Sequence, residues 1–199
     1  VPVVVIDRAA SSVPLAEALC AGGLTIIEVT LRTPDALKAI SLIAENVPDA
    51  VVGAGTVLND RQVESAVSAG ARFIVSPGLH ESVVATAKSQ DCPVFPGVAT
   101  ATEALSAWNM GLRILKFFPA EKAGGPGMLK ALSAVFRDVM FMPTGGITPA
   151  NLQDYLQLQS VIACGGSWLT PSELIEAGDF SSITRLAREA REIAARTRG

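Results

Sequence analysis

Residues 25–56 read TIIEVTLRTPDALKAISLIAENVPDAVVGAGT, and the fold is decided in this stretch. Thr25–Leu31 is an apolar, β-branched run interrupted by Glu28 and Thr30. Asp35–Glu45 then spaces its apolar residues with helical periodicity, and Ala50–Thr56 returns to β-branched and small residues. A strand, a helix and a second strand joined in this way form a crossover unit, because a parallel neighbour cannot be reached by a tight hairpin.

The same alternation extends in both directions. Strand-like segments recur at Val3–Ile6, Arg72–Ser76, Pro93–Val98, Ile114–Pro119, Met140–Thr144 and Ser160–Cys164. Helical periodicity occupies Val13–Ala21, Asp60–Ala69, Glu81–Ser89, Ala101–Met110, Gly127–Val135, Pro149–Leu156 and Ser182–Arg196. Asn59, Thr148 and Ser182 stand where helices should start, and Gly22-Gly23, Gly70 and Gly111 where they should stop. About eight strand segments, apolar almost throughout, imply a parallel sheet covered by helices. The expected fold is α/β, a single-domain (β/α)8 TIM barrel over residues 1–199. An open doubly wound sheet is the alternative, but no Gly-x-Gly-x-x-Gly turn follows the first strand.

Composition narrows the function classes. The chain has 199 residues, 49% of them hydrophobic, and a mean hydropathy of +0.40; it can bury a sizeable core and does not read as disordered. A net charge of −3 is too small to steer toward polyanions, so neither nucleic acid nor a membrane surface is expected as a partner. With no basic flank and apolar core at its start, and no long apolar run, the chain reads as cytoplasmic. Cys20, Cys92 and Cys164 are far apart and form no Cys-x-x-Cys pair, so they read as reduced thiols.

In such a fold the chemistry belongs at the C-terminal ends of strands, so polar residues inside apolar strands carry the information. Lys116 sits in Ile114-Leu-Lys-Phe-Phe-Pro119. Lysine is almost never fully buried without a purpose, although it can snorkel outward or pair with a carboxylate. A nucleophilic lysine needs its neutral amine, and desolvation in an apolar strand favours that form. Glu28, Thr30 and Arg32 share one face of the second strand by the period of two. Glu28 is then a general base, and Arg32 a fork for a carboxylate; an internal Glu28–Arg32 ion pair is the packing alternative.

Gly53-Ala-Gly-Thr56 ends the third strand, with glycines that let a ligand approach and a hydroxyl donor in Thr56. Pro143-Thr-Gly-Gly-Ile147 and Cys164-Gly-Gly-Ser-Trp168 follow the seventh and eighth segments, the positions where barrel enzymes commonly hold phosphate on backbone N–H groups. His80, the single histidine, offers neither a metal cluster nor a catalytic triad and reads as a surface residue at a helix start. Trp108 and Trp168 read as packing residues, Lys122 as a loop lysine, and Arg185–Arg198 as a solvated helix face.

Together, Glu28-Val-Thr-Leu-Arg32, Gly53-Ala-Gly-Thr56, Ser76-Pro-Gly78, Lys116-Phe-Phe-Pro-Ala-Glu121, Pro143-Thr-Gly-Gly146 and Gly165-Gly-Ser-Trp168 resemble the 2-keto-3-deoxy-6-phosphogluconate (KDPG) aldolases, also called 4-hydroxy-2-oxoglutarate (KHG) aldolases. The resemblance runs in order along essentially the whole chain. It implies a Schiff-base lysine in Lys116, proton transfer by Glu28, carboxylate binding by Arg32 and Thr56, and a pocket wall of Pro77, Phe118 and Thr144. It implies phosphate binding by Gly145, Gly146, Gly166 and Ser167, no metal or other cofactor, and a homotrimer. The implied partners are a phosphorylated 2-keto acid, pyruvate and glyceraldehyde 3-phosphate, in the Entner–Doudoroff pathway. One departure is that the sequence enters its first strand at Val1, without the short helix usual in the family. Two rival functions remain at this stage: a phosphosugar isomerase or epimerase using Glu28 alone, which an outward-facing Lys116 would favour, and a non-catalytic phosphate-binding module.

Overall fold

The structure, a computed structural model, describes residues 1–198. Seven parallel strands form one sheet in strictly sequential order. They are β1 (Val3–Val4), β2 (Ile26–Thr30), β3 (Val51–Gly55), β4 (Ile74–Ser76), β5 (Val94–Val98), β6 (Ile114–Phe117) and β7 (Met140–Pro143). The crossovers carry α1 (Ser12–Ala21), α2 (Ala36–Asn46), α3 (Asp60–Ser68), α4 (Glu81–Ser89), α5 (Ala101–Asn109) and α6 (Gly125–Val135). After β7 come α7 (Leu152–Leu156), α8 (Ser172–Ala177) and α9 (Phe180–Arg198). Sequential order leaves no switch point, so the doubly wound alternative is excluded. Among the described residues no helix is long and apolar enough to cross a membrane.

The expectation of a closed eight-stranded TIM barrel is corrected: the sheet has seven strands. The expected eighth strand, Ser160–Cys164, makes only isolated bridges, Phe141↔Val161 and, just beyond it, Thr144↔Gly165, with Pro2↔Gly166 on its other side. The bridges to β7 are three residues apart on β7 and four apart on the partner segment, so one extra residue breaks the ladder as a bulge does. Gly165 and Gly166 add no side chain with which a strand could pack.

Apolar side chains of the helices pack on the outer face of the sheet. Leu15 and Leu19 of α1, Ile40 and Ile43 of α2, Val63 of α3 and Leu129 of α6 are at most 1% exposed. Each such side chain stabilises the fold by about 1.5–3 kcal/mol. Helix ends follow the sequence in part. Asn59 caps α3 by accepting from the Gln62 N–H at 3.0 Å, and Gly23, Gly70 and Gly111 adopt positive φ after α1, α3 and α5. Thr148 and Ser182 are not caps. Asp179 accepts from the Ser182 N–H at 3.1 Å, and α9 begins two residues earlier than expected. At α5 a full capping box forms between Thr100 and Glu103.

Candidate active site

Two charged side chains meet inside the curl of the sheet. Lys116 Nζ lies 3.3 Å from Glu28 Oε1, with side chains 7% and 5% exposed. β2 and β6 are four strands apart in the sheet order, about 19 Å if the sheet were flat. Their contact shows how strongly the sheet curves. The ion pair is therefore Glu28–Lys116, not Glu28–Arg32.

Glycines make the room. In register, Lys116 sits between Gly97 of β5 and Met142 of β7. A Cβ on Gly55 would stand 2.2 Å from Glu28 Oε1 and 2.6 Å from its Cγ, and one on Gly53 would stand 2.3 Å from the Phe73 ring. The Gly-Ala-Gly motif of β3 thus seats Glu28 and Phe73, where the sequence suggested ligand approach.

Lys116 and Glu28 line a cavity of about 420 Å³ whose other walls include Ile26, Val51, Phe73, Phe95, Ile114 and Met142. This cavity extends toward the N-terminal ends of the strands and is apolar, which keeps the dielectric around the amine low. Of the other expected site residues only Thr144 lines it. The rest stand on the C-terminal side. Arg32 is exposed and donates from Nε to Thr30 Oγ1 at 3.2 Å, while Thr30 is itself fixed by donating to the Val4 carbonyl at 2.9 Å. Thr56 follows β3 with φ of 56°, a left-handed conformation that non-glycine residues adopt rarely and that concentrates at functional sites. The Pro77 carbonyl packs against Gly97, where a Cβ would approach it to 2.1 Å. The Phe118 ring centroid is 5.2 Å from Lys116 Nζ, within reach of a cation–π contact.

Both glycine loops offer backbone donors. Gly145 and Gly146 have φ of 98° and 82°, and among the described residues neither N–H has a protein acceptor. In the second loop the Gly166 N–H is already given to the Val1 carbonyl at 3.0 Å, so that loop presents the N–H groups of Ser167 and Trp168 instead. Cys164 flanks the site, but burial pushes its thiol up to about 12, so it stays protonated there. Among the described residues no three His, Cys, Asp or Glu side chains gather in a metal-holding group. His80 is exposed and contacts Ser82. Sequence reasoning overlooked Glu121 and Tyr155, whose side chains are hydrogen-bonded beside the first glycine loop. Tyr155 is the only tyrosine in the chain, and a lone phenol among apolar helix positions is a signal, because a buried hydroxyl needs a partner.

The family model for KDPG and KHG aldolase matches residues 1–186. The chain belongs to this aldolase family. The KHG/KDPG aldolase of Escherichia coli K12 is 50% identical over 192 residues, covering 96% of this chain and 90% of the relative. The crystal structure of KDPG aldolase from Legionella pneumophila, with pyruvate captured as a covalent carbinolamine, is 46% identical. It covers 95% of this chain and 92% of that one at a TM-score of 0.93. The KDPG aldolase of Zymomonas mobilis ZM4, solved with 3-phosphoglycerate, is 49% identical at a TM-score of 0.89, covering 95% and 88%. The chain is an aldolase, a carbon–carbon lyase. Its Lys116 and Glu28 bring an amine and a carboxylate to within 3.3 Å of each other, both buried.

Proposed function

We propose that this aldolase cleaves KDPG reversibly to pyruvate and glyceraldehyde 3-phosphate through an imine on Lys116, with KHG, giving pyruvate and glyoxylate, as a second substrate. The observation that carries the reading is the Lys116–Glu28 contact of 3.3 Å, which holds a nucleophile and a base together out of water. Glu28 takes a proton from the Lys116 ammonium. The neutral amine attacks C2 of the keto acid, and the carbinolamine loses water as Glu28 returns the proton to the leaving hydroxyl. The protonated imine then accepts the electron pair of the C3–C4 bond while the C4 hydroxyl gives its proton to Glu28, directly or through a water. The aldehyde leaves. Protonation of the enamine at C3 and hydrolysis of the imine release pyruvate and restore Lys116.

In this orientation Arg32 and Thr56 hold the carboxylate, Pro77, Phe118 and Thr144 wall the imine, and the phosphate lies on Gly145, Gly146 and the Gly166-Ser167 loop. The carboxylate and imine-wall roles rest on position at the C-terminal ends of β2 to β7, and the phosphate role on the N–H groups of Gly145, Gly146 and Ser167, which have no protein acceptor among the described residues. We place the protein, as one aldolase domain, in the Entner–Doudoroff route of the cytoplasm and assign it a homotrimeric state. The inward position of Lys116 removes the feature that would have favoured an isomerase. The test is pyruvate release from KDPG and from KHG, before and after exhaustive chelation. Cleavage of either substrate that persists after chelation is expected; activity lost with chelation and restored by a divalent ion would overturn the Schiff-base reading.

A further inference from the structure

Glu121, in the turn after β6, ties the imine end of the site to the first glycine loop. Its N–H donates to the Gly145 carbonyl at 3.1 Å, and the preceding Ala120 N–H to the Thr144 carbonyl at 2.8 Å. Its side chain lies flat against Gly146, where a Cβ would stand 2.6 Å from Glu121 Cγ. The carboxylate is held in turn by α7, because Oε1 accepts a hydrogen bond from the hydroxyl of the fully buried Tyr155. Asn151 completes the arrangement, donating from Nδ2 to the Gly146 carbonyl at 2.9 Å. Both carbonyls of the glycine pair are thus engaged by the protein, while both N–H groups remain without a protein acceptor among the described residues.

Such a loop needs a fixed support. Two successive glycines at positive φ have unusual conformational freedom, and that freedom would have to be given up each time a ligand bound. A carboxylate near a phosphate also repels it unless the charge is held and hydrogen-bonded. Burial, and then the Glu121 carboxylate, push the Tyr155 hydroxyl above its ordinary range, so it remains a donor at any pH used for assay.

We infer that Glu121 is a positioning residue: clamped by Tyr155, it sets the Gly145–Gly146 N–H groups for the substrate phosphate without touching the substrate. The inference rests on the phosphate orientation proposed above. It predicts an effect confined to one end of the substrate.

The test compares Tyr155→Phe, Glu121→Ala and Glu121→Gln with the parent protein, using KDPG, KHG and competition by inorganic phosphate. Tyr155→Phe and Glu121→Ala should raise KM for KDPG and the phosphate inhibition constant by about five- to tenfold. The kcat on KDPG and both parameters on KHG should stay near the parent values. Glu121→Gln, which keeps an acceptor oxygen for Tyr155, should recover most of the affinity. Equal losses on KDPG and KHG, or a lowered melting temperature with KM unchanged, would show a merely structural contact and overturn the inference. If phosphate fails to compete in the parent protein, the loop orientation falls and the inference with it; competition in the parent with unaltered variants sinks the inference alone.

Discussion

Gly55→Ala adds one methyl group where the Glu28 carboxylate lies. The added carbon would stand 2.2 Å from Oε1, 2.6 Å from Cγ and 2.8 Å from Cδ of Glu28, all well inside contact distance. These atoms belong to a flexible side chain, so the backbone can stay in place while Glu28 rotates away. Rotation breaks the 3.3 Å approach to Lys116 Nζ. Overpacking of this kind costs about 1–3 kcal/mol of stability, which leaves most of the protein folded. General acid–base transfer contributes about 10²- to 10⁴-fold, so kcat should fall at least about a hundredfold. Gly53→Ala is the control in the same strand. Its methyl meets the Phe73 ring at 2.3 Å, and that ring can swing into the 420 Å³ cavity it lines. Melting temperature should fall for both variants, and kcat should collapse for Gly55→Ala alone. A folded Gly55→Ala enzyme with nearly the parent kcat would refute the claim that Glu28 must sit where it does.

Three further outcomes follow from the geometry. Arg32→Ala should impair trapping of the pyruvate imine, removing a charge-assisted contact of about 2–4 kcal/mol; stopped reactions with borohydride measure it. Ser167→Ala should weaken KDPG by roughly 1–2 kcal/mol and leave KHG unaffected in steady-state kinetics, and equal losses on both would reverse the assigned orientation. The Glu103 carboxyl is held below its usual 4.5 chiefly by the Ala99 N–H, with Thr100 adding to it. A carboxyl depressed in the folded state stabilises it above the unfolded value, so this contribution is present above about pH 4.5 and is lost as pH falls through the lower folded value. Acid melting curves should therefore steepen below that pH, and Glu103→Gln should flatten part of the dependence.

The crossover units were legible because short, nearly continuous apolar and β-branched runs alternate with runs at helical spacing, and that pattern survives without tertiary information. The segment Ser160–Cys164 misled for the same reason. Its apolar residues look like a strand, yet the additional residue that breaks its pairing exists only relative to β7. Lys116 and Glu28 were readable as charges stranded among apolar neighbours, and the structure brings them together. The purpose of Gly53 and Gly55 was not readable, since a missing side chain does not say which neighbour fills its place. Here the neighbours are Phe73 from β3's other partner region and Glu28 from β2. Glu121 likewise depends on Tyr155, 34 residues later, which only the packing of α7 beside the glycine loop brings within reach.

Covalent attachment of the substrate to Lys116 decides the proposed mechanism. It is tested most directly by borohydride reduction in the presence of pyruvate, followed by intact-mass measurement and peptide mapping. One stable adduct, on the peptide containing Lys116, is the predicted result. An adduct on Lys122, or no adduct from a protein that still cleaves its substrate, would contradict it.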